Sequence, residues 1–176
     1  MKITRYAARR IFHIMETANV CSLDDKDLEA VIVNFNAFRK VAEEFESLKL
    51  ELFQKVYGET EKKSDEEKQR LQNFFGILKS IEHADMEEKV RLDAVAKETY
   101  PDLYDLRNKE LKVIIAILNK EVDVNVEKVN GDDFIKCLLK GRKDMSVGEI
   151  YKIFAPMLET TERTATSSEE IEQLLK

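Results

Sequence analysis

The sequence predicts a mainly α protein: an elongated helical bundle built on one long helix, with a small C-terminal α-rich unit containing a short extended segment. Three observations carry that prediction. No Gly or Pro occurs from Met1 to Tyr57. Within that stretch Leu28, Val31, Phe35, Phe38, Ala42, Phe45, Leu52 and Val56 recur at three- and four-residue spacing, the period of one helix face. The chain of 176 residues is 36% charged with only five Gly and two Pro, a balance that suits long polar helix faces better than turn-rich sandwiches or barrels.

The first helix is predicted from Thr4 to about Ala18, with Ile3, Ala7, Ile11, Ile14 and Ala18 as its apolar stripe and Lys2, Arg5, Arg9 and His13 opposite. Asn19 to Ser22 reads as a connection. Ser22 is the expected N-cap of the long helix, and Asp24, Asp25 and Asp27 load its first turn with the negative charge a helix N-terminus favours. A rod from Ser22 to Tyr57 would be about 50 Å long at ~1.5 Å per residue. Its solvent face is Lys40, Glu43, Glu44, Ser47, Glu51, Gln54 and Lys55, and Gly58 ends it as a C′ residue. Val41, Leu48 and Phe53 widen the apolar side, which suits packing against several helices.

Ser64 with Glu67 forms a capping box, opening a helix through Leu71, Phe74, Phe75, Leu78 and Ile81. Asp85 with Glu88 offers a second start; a break or a kink in one helix both fit. Pro101 opens another helix through Leu103, Leu106, Leu111, Ile114 and Leu118, although the β-branched Val113–Ile115 also admits a strand. Val122 to Val126 alternates strictly, so 122–129 is expected to be extended, with its partner in that earlier run or in another chain. Asn130 with Asp133, then Ser146 with Glu149, cap two short helices, the second limited by Pro156. Residues 159–168 read as a flexible linker before a short tail helix holding Ile171, Leu174 and Leu175. The resulting organisation is 1–100 as the long-helix bundle, 101–158 as a helix–strand–helix–helix unit in the same compact domain, and 159–176 as linker and tail.

Composition and motifs exclude more than they assign. The net charge of −6 argues against non-specific nucleic-acid binding as the main role. P-loop, GxGxxG, GxSxG and HExxH patterns are absent from the sequence. His13 and Glu16 reverse the Glu-x-x-His order of di-iron bundles, and His83 beside Glu82 and Asp85 reads as a solvated junction. Cys21 and Cys137 are expected to be buried free thiols, with one disulfide as the alternative. Arg9 and Arg10 interrupt the opening residues before an export segment could form, and Val113–Leu118 is too short to span a bilayer, so a cytoplasmic protein is expected. Neither catalytic residues, cofactor nor metal is expected.

Two features point to partners. Lys2, Arg5 and Arg9, reinforced by Lys136, Lys140, Arg142 and Lys143, would contact nucleic acid or an acidic partner if they lie together. Ile171, Leu174 and Leu175 would dock onto the body or a neighbouring protomer. The expected role is therefore a non-catalytic, self-associating interaction protein, a scaffold or assembly factor. The alternative is a nucleic-acid-associated regulator using the basic residues.

Ala30 to Tyr57-Gly58, followed by Val122-Asp-Val-Asn-Val126 and Ser146-Val147-Gly148-Glu149-Ile150, resembles a group of small uncharacterised proteins of tailed bacteriophages and prophages. The resemblance covers about half the chain, with 64–100 as extra helices. It implies a non-enzymatic assembly or accessory role and carries over no catalytic residue.

Overall fold

A computed structural model describes residues 1–20, 22–141 and 144–159. The protein is mainly α. Among the described residues it has seven α-helices and two short strands, in the order β1 (Lys2–Thr4), α1 (Arg5–Met15), α2 (Asp25–Tyr57), α3 (Asp65–His83), α4 (Met86–Thr99), α5 (Pro101–Asn119), β2 (Glu121–Asp123), α6 (Gly131–Gly141) and α7 (Val147–Phe154).

Local chemistry sets most of these boundaries. Ser64 and Glu67 satisfy each other's backbone N–H groups, as do Ser146 and Glu149. These contacts also hold both glutamates below the usual carboxylate range, chiefly through the hydrogen bond from the serine's backbone N–H. Asp85 accepts from Glu88 N at 2.9 Å, so α3 and α4 are separate helices. Pro101 occupies the first turn of α5, where its missing N–H costs nothing. Gly58 ends α2 at φ +77°, a conformation that suits glycine. Val113–Ile115 is helical, inside α5.

The start of α2 differs from the expectation. Asp24, not Ser22, is the cap, accepting from Asp27 N at 2.8 Å. Ser22 instead lies with its hydroxyl 3.3 Å from Cys137 Sγ. Asp24 directly precedes the first helical residue, Asp25, which puts its carboxylate within reach of the first-turn N–H groups.

The opening residues also differ. Thr4 is the N-cap of α1, its hydroxyl accepting from Ala7 N, so Lys2 and Ile3 precede the helix. They form β1, antiparallel to β2 in the register Lys2 with Asp123, Ile3 with Val122 and Thr4 with Glu121. The predicted extended segment thus finds its partner at the other end of the sequence, not in 113–118. Only Glu121–Asp123 is ladder-paired as a strand; further on, Val129 bridges Leu158 in parallel. Pro156 ends α7 at Phe154 in a short 3₁₀ turn, Ala155–Met157.

The chain divides into two compact units. One comprises Met1–Ala42 and the described residues from Glu121 onward; the other is Glu43–Lys120. This partition differs from the predicted 1–100 and 101–158 segments, because α2 serves both units and β2 returns the chain to β1. The first unit packs Ile11, Phe12, Ile14, Phe38, Phe134, Ile150, Phe154 and Met157 into one core. The second builds a smaller one from Tyr57, Phe74, Ala96 and Leu103, with Phe53, Phe75 and Tyr100 against it. Edge-to-face contacts tie Tyr57 to Phe75 and Phe74 to both Phe75 and Tyr100.

In the first unit two buried polar side chains on α2 hold the segment after β2. Asn34 donates from Nδ2 to Glu127 O at 2.9 Å and accepts from Glu127 N at 2.7 Å. Asp27, two turns earlier, accepts from Asn130 N at 3.0 Å. A non-helical segment carries unpaired backbone groups, and these two side chains take the place of a second strand.

Candidate functional site

The 43–120 unit carries the arrangement that most needs explaining. Its centre is Glu110, 3% exposed on α5. Tyr57 donates its hydroxyl to Glu110 Oε2 at 3.1 Å, and Arg107 donates from Nη1 to the same oxygen at 2.7 Å. A buried carboxylate is tolerated when paired and hydrogen-bonded, and Arg107 supplies the opposite charge from one helical turn away. Burial, reinforced by the neighbouring carboxylate, pushes the Tyr57 phenol well above its ordinary range.

Two clefts flank this cluster. One, of about 170 Å³, has Tyr57, Leu71, Leu103 and Leu106 with Lys63, Glu67, Arg70 and Asp102 around it. Arg70 grips Asp102 with two hydrogen bonds, one of 2.9 Å, and holds that carboxyl below its usual range. Its guanidinium also lies 5.7 Å from the centre of the Tyr100 ring. The cleft is smaller than the roughly 300–1,000 Å³ of typical cofactor sites. The other, of about 270 Å³, is lined by Glu46, Lys49, Leu50, Phe53 and Glu110.

Beyond Glu110, α5 changes character. Leu111, Val113, Ile114, Ile115, Ala116, Ile117 and Leu118 fill all but one position of 111–118, yet none of them is buried. Neither hydrophobic core takes in any α5 residue past Leu106. Ile115 is 56% exposed, and Leu50, on the rim of the neighbouring cleft, is 60% exposed. A helix that is apolar nearly all round is normally covered on most sides. On α4, Met86 and Val90 add a further exposed apolar pair at i,i+4.

The predicted basic residues are placed differently. Lys2 is exposed on β1, not on the α1 face, while Arg5 and Arg9 are half-buried one turn apart on α1. Lys136 and Lys140 are exposed one turn apart on α6, where they line a groove with Ser22, Asp133 and Leu139. Lys136 is engaged by Asp133 at 2.8 Å. Arg142, Lys143, Ile171, Leu174 and Leu175 lie outside the described residues, as does Cys21. Cys137 is a buried free thiol. His13 bonds Glu16 at 2.9 Å in an exposed pair, and His83 is exposed at the end of α3. Among the described residues no group of His, Cys, Asp and Glu is arranged to hold a metal.

The helical spacing that groups Leu111 and Ile114 with Leu103 and Leu106 does not single out Leu50 or Glu110. The available signal was the run Val113 to Leu118, too apolar for a helix with a single covered side. No described helix is long and apolar enough to cross a membrane. No family model matches the chain, and no curated protein or solved structure matches it significantly.

Proposed function

We propose that this is a non-catalytic helical interaction protein that self-associates and acts as a scaffold or assembly factor, of the accessory kind its tailed-phage resemblance implies. The observation that supports the reading is the apolar 111–118 stretch of α5, none of it buried, together with the exposed Leu50 of α2, which shares a cleft with Glu110. Covering side chains such as Leu50 and Ile115 is worth on the order of 1.5–3 kcal/mol each when burial is complete. The charge pairs around the clefts are engaged with one another, which fits a stabilising role for them.

The test is size-exclusion chromatography with light scattering on the full chain and on Ile115→Glu. The wild type runs as a dimer or larger at micromolar concentration, and the variant as a monomer with unchanged helical circular dichroism. A wild type that stays monomeric at high micromolar concentration overturns the reading.

A further inference from the structure

Resting on that reading, we infer that the covering partner is a second copy related by a two-fold axis, with residues 108–120, the end of α5 and its cap Lys120, lying on the second copy's α2 residues 43–51. Charge decides the pairing. The exposed residues of the α5 stretch include Lys109, Lys112 and Lys120 and no carboxylate; Glu110 is buried and bound by Arg107. Laying α5 on its own copy would set lysine against lysine along an otherwise apolar contact, and like charges so placed cost affinity.

The 43–51 stretch of α2 has the complementary character. It carries Glu43, Glu44, Glu46 and Glu51 around Leu50, against the single Lys49, which pairs with Glu46 at 3.5 Å. Glu43, Glu46 and Leu50 share one face, at i, i+3 and i+7. Leu50 and Glu110 line one cleft, and Val113 and Ile114 follow Glu110 by one turn, so acidic and basic helices are neighbours within the unit. In a two-fold contact, α5 on the second copy's α2 requires α2 under the second copy's α5. Both uncovered surfaces are then satisfied at once, and assembly closes at the dimer.

Charge exchange tests this on the full chain. Two variants are made, Lys109→Glu with Lys112→Glu, and Glu43→Lys with Glu46→Lys, all at exposed positions. Each alone raises the dimer dissociation constant about tenfold or more. An equimolar mixture restores a heterodimer, because each exchanged helix meets its complement. Circular dichroism confirms that both variants fold. If the wild type dimerises but neither variant weakens it, or the mixture forms no heterodimer, this geometry is overturned while self-association stands. A monomeric wild type removes both.

Discussion

Tyr57 and Glu110, 53 residues apart in sequence, meet through a 3.1 Å hydrogen bond in which the phenol donates to a carboxylate almost wholly shielded from water. The bond joins the end of α2 to the middle of α5, and Arg107 completes it. Removing one donor leaves a buried charge with one partner fewer. Tyr57→Phe is therefore expected to lower unfolding stability by about 1.5–3 kcal/mol, the scale of a hydrogen bond to a charged group. Arg107→Ala should cost more, about 3–5 kcal/mol, because the buried carboxylate loses its counter-charge. Urea unfolding of the three proteins gives the order.

The same pair fixes a pH dependence. The folded-state pKa of Tyr57 lies above the ordinary phenol value of 10.0, through burial first and the Glu110 charge second. Below that value the phenol is protonated in both folded and unfolded chains, so its contribution is fully present. Above it the unfolded chain ionises first, and stability falls with rising pH. Thermal melts from pH 8 to ~11 should show a steeper loss above about pH 10 in wild type than in Tyr57→Phe.

Asn34 makes a sharper case in the other unit. Its amide both donates to and accepts from the Glu127 backbone. Asn34→Asp keeps the shape but replaces the donor with a carboxylate facing Glu127 O, and Asn34→Leu leaves both backbone groups unpaired. Each orphaned buried group costs about 1–3 kcal/mol, so both variants should be destabilised, with hydrogen exchange at the Glu127 amide faster than in wild type for Asn34→Leu, which removes that amide's acceptor. Unchanged protection at that amide would contradict the clamp.

Gly141 closes α6 against the end of α1. A Cβ placed there would sit 1.7 Å from Thr17 O, a backbone atom that cannot step aside cheaply. Gly141→Ala should therefore destabilise, by about 1–3 kcal/mol as overpacking does, although alanine is the better helix former. Gly148→Ala is the control. A Cβ there meets nothing within 4 Å, so that variant should be neutral or slightly stabilising in the same melts.

The places where sequence and structure agree are those where the deciding groups are close along the chain. Ser64 with Glu67, Asp85 with Glu88, Ser146 with Glu149, Pro101 and Gly58 each act within one helical turn, and each marks a boundary that the fold respects. At the start of α2 the expected cap, Ser22, lies too far from the first helical residue, and Asp24 caps instead.

By itself the sequence determined that this is a mainly α protein built on a long second helix, and where most helices begin and end. Only the tertiary structure decided that Ile3 pairs with Val122, that Asn34 and Asp27 clamp 127–130, that Glu110 is buried, and that α5 keeps an uncovered apolar stretch. The reason is one of range. A cap is satisfied by atoms a few residues away, whereas a strand partner or the burial of a carboxylate depends on segments about a hundred or about fifty residues distant, whose meeting no local periodicity records.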